Sequence, residues 1–376
     1  MEKMVKSFFD IPFAKAAVSL KDIKTVTDAV THGWGKHCND YIYKFEKNFS
    51  NYVNKKYAIS TSSCTGALHL ALRSIDIKSG DEVIVPEITW IGTVAPIIYE
   101  KAKPIFVDIN KDDWCIDVKK LEKKISKKTK AIIAVHLYGN IANIKELKKI
   151  SKKYKLILIE DAAEALGSQI NGKLAGSFGD ISVFSFHGTK TLTTGEGGML
   201  LTDNKKIYDK AIIQSNHGRK ASKHTVFWMD QIGLKYKMSN LQAALGCSQL
   251  TRINKIIKKK VQIFKFYKKN LGKYGNMNVE KKGLINSAWL PAIIFDKKYI
   301  TPKKRDQMIE EAQKLGIGLR PFFFPISIFP MFKKNIENKS SMEIYKYGIN
   351  LPSFEKITQK ELIIVVEFIK KVLKIS

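Results

Sequence analysis

Cysteine is scarce in this sequence, and its spacing excludes two classes of protein. Cys38, Cys64, Cys115 and Cys247 are far apart, and no two of them form a Cys-x-x-Cys pair. Structural zinc sites and disulfide frameworks need closely and regularly spaced cysteines. The sequence therefore predicts neither a metal site nor a disulfide-stabilised fold. Four widely spaced cysteines are typical of a protein in a reducing compartment.

Long apolar runs are also absent. No stretch approaches the roughly 20 apolar residues that cross a bilayer, and residues 1–17 lack the apolar segment of a secretory signal. The chain contains no internal repeat, low-complexity segment or flexible linker. We therefore expect a cytoplasmic protein without a membrane partner.

Acidic residues are few relative to basic ones. The chain has 35 Asp and Glu against 65 Lys and Arg, a formal net charge of +30. Such a charge favours nucleic acid or anionic membranes when it is concentrated in one patch. Here the lysines form short runs along the whole chain and do not interleave with aromatics, so we interpret them as compositional bias and predict no nucleic-acid partner. A non-catalytic basic binding protein remains the alternative, and the positive field would attract a small polyanionic substrate.

The length and the apolar content predict a large domain and a smaller one. The chain has 376 residues, of which 44% are apolar, which is more than one ordinary core accommodates. We place the large domain at residues 1–250 and the small domain, with its connecting helix, at 251–376. A helical pattern runs from Ser239 to Ile257 and forms the connector. In the small domain we expect a strand at Ala288–Phe295 and helices at Lys303–Leu315 and Gln359–Lys371.

Short apolar runs alternate with helix-length segments in the first half of the chain. Strands are predicted at Tyr57–Ser60, Glu82–Pro86, Lys103–Val107, Ala131–His136, Leu156–Glu160, Ser182–Phe186 and Gly198–Thr202, with helices at Thr65–Ser74, Ile91–Tyr99 and Ile144–Tyr154. This alternation is typical of an α/β fold with a mostly parallel sheet. The last two strands are joined by a loop without a helix, so we expect a mixed sheet. Ligands bind at the carboxyl ends of such strands.

Three of these strand ends carry groups suited to chemistry. Ser62–Gly66 is a hydroxyl-rich turn that opens a helix, which fits either a phosphate site or an ordinary helix cap. Asp161 ends a buried strand, where a carboxylate needs a cationic or hydrogen-bonding partner. Lys190 follows another buried strand, where partial desolvation would make its amine nucleophilic. His187 and His136 also follow strands, and we interpret both as structural histidines.

Together with other segments, these residues resemble the DegT/DnrJ/EryC1/StrS family of sugar aminotransferases, which has the type I (aspartate aminotransferase-like) pyridoxal phosphate fold. The matched segments, in family order, are Ser62–Leu70, Gly80–Pro86, Val107–Asp108, Val135–Gly139, Glu160–Ala165, Ser185–Gly198, Asn216–Gly218, Lys237–Ser239, Arg320–Phe323 and Leu351–Ser353. The similarity is greatest to the branch that aminates a 4-keto-6-deoxy sugar nucleotide, as GDP-perosamine synthases do.

The resemblance implies a role for each matched residue. Lys190 resembles the lysine that forms the Schiff base with pyridoxal phosphate and carries the proton, and Asp161 resembles the partner of the pyridinium nitrogen. Cofactor contacts are also implied for five further residues. Thr65, Gly66 and Ser185 match phosphate-binding positions, and Trp90 matches the aromatic residue that stacks on the ring. Glu164 lies where many relatives have a glutamine near the ring oxygen. Substrate contacts are implied for Arg320, Lys237 and His217.

Two positions depart from the family pattern. Many relatives have an asparagine two residues before an Arg-Met-(Ser/Thr) segment, and that asparagine reaches the cofactor phosphate of the neighbouring subunit. Here these positions are Lys235 and Lys237. A lysine can bind phosphate as a point charge, but Lys237 lacks the two-pronged hydrogen bonding of arginine. The residue that holds the carboxylate of the amino donor is therefore open.

The resemblance also implies a reaction and an assembly. We expect an aminotransferase that moves an amino group from L-glutamate to a keto sugar nucleotide for surface polysaccharide biosynthesis, in a homodimer with shared active sites. Amination at C3 and a sugar 3-dehydratase are the alternatives. In that dehydratase branch a histidine replaces the lysine, so Lys190 favours transamination.

Overall fold

The computed structural model describes residues 9–219, 228–229, 231–280, 282–333 and 336–375. Its helices are α1 Leu20–His32, α2 Asp40–Val53, α3 Cys64–Ser74, α4 Ile91–Tyr99, α5 Val118–Glu122, α6 Ile144–Tyr154, α7 Lys205–Ser215, α8 Asn240–Leu250, α9 Ile253–Leu271, α10 Pro302–Lys314, α11 Lys339–Ile344 and α12 Gln359–Leu373. None of the helices in this described part of the chain has the length and apolar character needed to traverse a bilayer.

The strands form three sheets. They are β1 Tyr57–Thr61, β2 Glu82–Pro86, β3 Lys103–Val107, β4 Thr129–Val135, β5 Ile157–Asp161, β6 Gln169–Ile170, β7 Lys173–Leu174, β8 Ile181–Ser185, β9 Gly198–Thr202, β10 Gly275–Met277, β11 Leu284–Ile285, β12 Ala292–Phe295, β13 Arg320–Pro321 and β14 Gly348–Asn350. The large sheet has the order β1-β9-β8-β5-β4-β2-β3, and the small sheets have the orders β10-β12-β14-β13 and β11-β6-β7.

The large sheet is mixed, as the sequence predicts. Strands β8, β5, β4, β2 and β3 pair in parallel, whereas β9 runs antiparallel to both β1 and β8. All seven predicted strands are present, and their ends lie within two residues of the predicted ones. Helices cover the sheet, and the side chains of β8 and β9 are buried throughout, which explains why these strands are continuous apolar runs.

The predicted connector helix is interrupted. The sequence pattern indicates one helix from Ser239 to Ile257, but α8 ends at Leu250 and α9 begins at Ile253. At the break, Arg252 leaves the helical conformation and donates hydrogen bonds to Asp22 and Glu355, each at 2.9 Å. These charge-assisted bonds stabilise the break. The predicted strand at Ala288–Phe295 is also shorter and begins only at Ala292.

The amino-terminal segment packs on the carboxyl-terminal core. The backbone N–H of Phe9 donates to Leu315 O, and that of Ile11 to Gly316 O. Ile11 is 2% exposed within the apolar cluster formed by α9, α10, α12 and the four-stranded sheet. Farther along, Ser353 N donates to Phe13 O at 3.0 Å. Residues 9–13 therefore lie against segments from the carboxyl-terminal part of the chain, while the 250/251 domain division stays a prediction.

Candidate active site

A cavity of about 640 Å³ opens at the carboxyl ends of the central parallel strands. This is where ligands bind in open α/β sheets. Seven of the residues singled out in the sequence line it: Thr65, Trp90, Asp161, Glu164, Ser185, Lys190 and Arg320. They come from seven separate elements or loops, which only the fold brings together.

Lys190 lies in the loop after β8, and its amine points into the cavity. Its Nζ is 3.7 Å from Glu164 Oε1 and 3.5 Å from the ring centroid of Trp289. Burial lowers the pKa of Lys190, although the carboxylate of Glu164 opposes this shift. A lowered pKa raises the fraction of neutral amine, which is the nucleophilic form.

Asp161 is the last residue of β5 and is buried beneath the cavity. Its Oδ2 accepts a hydrogen bond from Thr93 Oγ1 at 2.8 Å, and its Oδ1 accepts one from Ala163 N at 3.1 Å. Thr93 is fixed in turn by Thr89, 2.8 Å away. Burial raises the pKa of Asp161. A buried carboxylate held by neutral donors favours a cationic group in the cavity, and a protonated pyridine nitrogen fits that requirement.

Glu164 is buried between the backbone and Lys190. Its Oε2 accepts a hydrogen bond from Tyr138 N at 2.9 Å. Burial raises the pKa of Glu164 to about 7, although Lys190 opposes this. Near neutral pH the group can therefore accept or donate a hydrogen bond, as a side chain facing a ring oxygen must.

The amino-terminal end of α3 forms another wall of the cavity. Ser63 caps the helix by accepting a hydrogen bond from Gly66 N at 3.0 Å, and Thr65 and Ser185 border the cavity beside it. Free N–H groups and the helix dipole favour an anion here. Gly198 of β9 packs against the Ser63–Cys64 backbone so closely that a Cβ would approach it to 2.6 Å. The hydroxyl groups and the helix end suit a phosphate.

Trp90 offers a flat aromatic face at the mouth of the cavity. It precedes α4 and is 62% exposed, with its ring 5.9 Å from that of Phe323. Exposure of so large an apolar side chain leaves surface for a planar ligand to cover. Together, the amine, the buried carboxylate, the helix end and the aromatic face fit pyridoxal phosphate.

The two histidines have different surroundings. His136 is fully buried; its Nε2 lies 2.9 Å from Glu160 Oε2, and its Nδ1 accepts a hydrogen bond from Ala142 N. This arrangement is structural. His187 lies at the cavity, with its Nδ1 3.0 Å from Thr189 Oγ1 and its Nε2 3.6 Å from Glu196 Oε1.

Four predicted site residues lie outside the cavity lining. Gly66 is buried in α3, where a Cβ would meet the ring of Tyr236 at 3.0 Å. His217 is exposed. Lys235 Nζ donates to Asn216 Oδ1 at 3.0 Å, and Lys237 Nζ donates to Asn39 Oδ1 at 2.6 Å.

These two lysines contact loops that we expect to reach the substrate. Asn39 lies in the segment His32–Tyr41, which joins α1 to α2, and Asn216 lies in the segment Ser215–Met229, which follows α7 and whose residues 220–227 lie outside the described residues. Within one chain, Lys235 and Lys237 therefore bind these two segments and do not contact the cavity.

Trp289 and Phe13 are among the cavity residues that the sequence reasoning missed; Trp289 comes from the second half of the chain and Phe13 from the amino-terminal segment. Cys64 opens α3 within the predicted turn Ser62–Gly66, but the sequence pattern assigns no role to its thiol. Burial raises the pKa of the Cys64 thiol well above its ordinary value. The sequence pattern of Ala288–Phe295 predicts a buried strand, so nothing in it identifies Trp289 as a site residue.

The mixed sheet and the lysine-containing cavity define a pyridoxal-phosphate-dependent transferase of the type I fold. The model of the DegT/DnrJ/EryC1/StrS aminotransferase family matches residues 18–370. The chain belongs to this family. It is therefore an enzyme, a pyridoxal-phosphate-dependent sugar aminotransferase, and the family assignment decides against a non-catalytic basic binding protein.

Comparison with individual proteins agrees with the family. The chain is 37% identical over 362 residues to the GDP-perosamine synthase of Escherichia coli O157:H7, covering 96% of this chain and 98% of that protein. It is 38% identical over 348 residues to the GDP-perosamine synthase of Vibrio cholerae, covering 92% and 94%. A putative sugar aminotransferase of Streptococcus pneumoniae, solved in its PLP form, superposes with a TM-score of 0.90 at 26% identity, covering 97% and 99%.

Proposed function

We propose that this enzyme transfers an amino group from L-glutamate to the C4 ketone of a keto sugar nucleotide, GDP-4-keto-6-deoxymannose being the foremost candidate, for surface polysaccharide biosynthesis. The observation that carries the proposal is the combination of a cavity built around Lys190 with similarity to GDP-perosamine synthases over nearly the whole chain.

Six of the cavity residues would have a task in this reaction. When bound, pyridoxal phosphate would take up the amino group and stabilise the negative charge that develops on the donor carbon. Lys190 would hold the cofactor through Nζ, and its amine would move a proton during the transfer. Asp161 would hold the protonated pyridine nitrogen, and Glu164 would hydrogen-bond the ring oxygen. The α3 end with Thr65 and Ser185 would hold the phosphate, and Trp90 would cover the ring.

The sugar nucleotide enters on the Arg320 side. Arg320 lines the cavity with its guanidinium 5.7 Å over the ring of Phe13, and because the residue is exposed it can meet an anion that enters there. The net charge of +30 attracts a diphosphate from solution. In the proposed homodimer, Lys235, Lys237 and His217 serve the active site of the neighbouring subunit, which accounts for their position outside the cavity of their own chain.

Direct assay tests the substrate. The purified protein, loaded with pyridoxal phosphate, is incubated with L-glutamate and a panel of GDP-, UDP- and dTDP-linked 4-keto-6-deoxy sugars, and products are identified by mass spectrometry and NMR. An amino sugar at C4 from the GDP-linked ketone supports the proposal. Preference for another nucleotide or amination at C3 overturns the substrate, and a 3-deoxy product overturns the transamination.

The role of Lys190 is tested separately. Lys190→Ala is expected to lose both the covalent cofactor absorbance and all amination, because among the described residues no other lysine lines the cavity. Retention of both by the variant refutes the assignment of Lys190.

A further inference from the structure

Lys260 is a buried lysine whose amine is bonded to the cavity wall. It lies on α9, is 4% exposed, and its Nζ donates to Trp289 O at 2.9 Å, to Ser353 O at 2.9 Å and to Ser353 Oγ at 3.3 Å. The three acceptors can take up the hydrogens of the protonated amine, while burial, and after it the charge of Lys190, lowers the pKa of Lys260 to about 7. Burying such a group costs free energy unless its hydrogen bonds are made, so Lys260 holds these two segments in a fixed relation.

Trp289, one of these two partners, touches the reactive amine. The ring centroid of Trp289 is 3.5 Å from Lys190 Nζ, and the indole is 5% exposed. Its Nε1 donates to Thr189 O at 2.8 Å, in the same loop that carries Lys190. The indole is thus tied to the lysine loop at one end, while Lys260 holds the backbone at the other.

The backbone before Trp289 has an unusual conformation that presents the indole. Ala288 has a φ of 49°, in the left-handed region that residues with a Cβ rarely adopt. Its N–H donates to Asn286 Oδ1 at 2.8 Å. A strained backbone conformation persists only where several surrounding contacts hold it. The hydrogen bond from Lys260 to the carbonyl of Trp289 is one of these contacts.

The indole affects the Lys190 amine in two ways. It excludes water from Nζ, which disfavours the charged form, and its π-face attracts an ammonium, which favours that form. Burial is the largest cause of the lowered pKa of Lys190, so exclusion of water is the stronger effect. Both depend on the distance from the ring to Nζ.

We propose that Trp289 is a further catalytic residue, since it contacts the reacting amine, and that Lys260 is a positioning residue that holds the Trp289 backbone so that the indole covers Lys190 Nζ. This inference rests on the proposed role of Lys190.

The test compares Lys260→Met with Lys55→Met. Lys55 is also a buried lysine, with a side chain 3% exposed and an amine that donates to Gly179 O at 2.8 Å and to Asp203 at 3.1 Å, but it does not border the cavity. The control thus measures the effect of removing a buried amine that is not coupled to Lys190. Because the charges of Lys260 and Lys190 repel each other, Trp289→Phe, which keeps Lys260, is measured beside it to separate displacement of the indole from loss of that charge. Urea denaturation of both variants reports their stability.

The decisive measurement is made on cofactor-free protein. Acetic anhydride labels free amines, and mass spectrometry of the Lys190 peptide across a pH series gives the pH at which that amine becomes reactive. We expect Lys260→Met to move this midpoint upward, toward that of exposed lysines, and Lys55→Met to leave it unchanged. In the loaded enzyme, the reaction with L-glutamate followed by absorbance should slow roughly ten- to a hundredfold in Lys260→Met alone.

An unchanged midpoint in Lys260→Met, or equal shifts in both variants, overturns the inference. If Lys260→Met does not fold, Trp289→Phe takes its place: it keeps a ring face but loses the Nε1 bond to Thr189, and an upward shift is again expected, with no shift counting against the inference. Lys190→Ala separates the two proposals, because covalent cofactor binding by that variant refutes the role of Lys190 whatever the midpoint of Lys260→Met.

Discussion

At the scale of single residues, the site depends on burial of groups that prefer to be charged. Burial raises the pKa values of Asp161 and Glu164 and lowers that of Lys190. Each shift shows that burial destabilises the charged form of the group. An ion pair between one of these groups and a charged ligand is therefore stronger here than it would be in water. The cavity therefore suits a ligand that carries both a cationic group and an acidic group.

Replacement of Asp161 tests this interpretation. Asp161→Asn keeps the shape and can keep the Thr93 contact but removes the negative charge, so we expect kcat to fall by roughly a hundredfold or more, with weaker pyridoxal phosphate binding. Steady-state kinetics and cofactor titration measure both. The control Thr93→Val removes one hydrogen bond at 2.8 Å and leaves the charge; a loss equal to that of Asp161→Asn would mean that the charge is not the important property.

The pKa of Glu164 predicts a pH dependence of stability. Burial raises this pKa from 4.5 to about 7 in the folded protein, so folding favours the neutral acid, and stability is lost as the pH rises through about 7. We expect cofactor-free Glu164→Gln to gain up to about 3 kcal/mol in free energy of unfolding over the wild type between about pH 5 and about pH 8. Urea denaturation across this range measures the difference, and a pH-independent difference contradicts it.

Sequence alone predicts the residues of this site unevenly. Lys190 and Asp161 follow apolar strands, so the rule that ligands bind at strand ends identifies them. Trp289 and Phe13 reach the cavity from the far half of the chain and from its beginning. Their position is a tertiary property, because both are aromatic residues in apolar surroundings of the sequence and no local pattern marks them.

At the scale of elements, periodicity predicts the sheet well and the connector poorly. Strands β2, β3 and β9 begin and end where apolar, β-branched runs do. The break between α8 and α9 has no local signal, since Thr251 and Arg252 continue an acceptable helical pattern. It results from the distant partners of Arg252, Asp22 and Glu355. Long-range ion pairs of this kind are invisible to a local pattern.

The start of α4 supplies an element-scale prediction. A Cβ at Gly92 would lie 2.7 Å from Thr65 Oγ1 and 3.0 Å from Trp90 Cδ1. Gly92→Ala must therefore push the two proposed cofactor contacts apart, and we expect a loss of roughly 1–3 kcal/mol in stability and a several-fold weaker pyridoxal phosphate affinity. Calorimetry and cofactor titration measure these changes. At Gly272 a Cβ would meet only Lys268 Cγ, at 3.4 Å, so Gly272→Ala should change neither, and an equal loss there would refute the steric explanation.

At the scale of the whole molecule, the proposed shared active sites make a prediction by subunit mixing. Lys190→Ala and Lys237→Ala should each be inactive or weak as homodimers. If Lys237 serves the neighbouring subunit, each mixed dimer contains one complete site, and random exchange restores about a quarter of the sites. Activity after co-refolding equal amounts measures this. If the activity of the mixture does not exceed the average activity of the two separate variants, Lys237 acts in the active site of its own chain.

The position of Phe13 at the cavity has a consequence for how the enzyme is made. Phe13 and its neighbours lie against Leu315, Gly316 and Ser353, which leave the ribosome long after them. Proteins are synthesised at about 5–20 residues per second and domains fold as they emerge, so residues 9–13 wait for residues 315–353 before this wall of the cavity can form. The large sheet can be complete while the cavity is still open on one side. Capture of pyridoxal phosphate in its final form therefore requires that these later residues have been made and have packed.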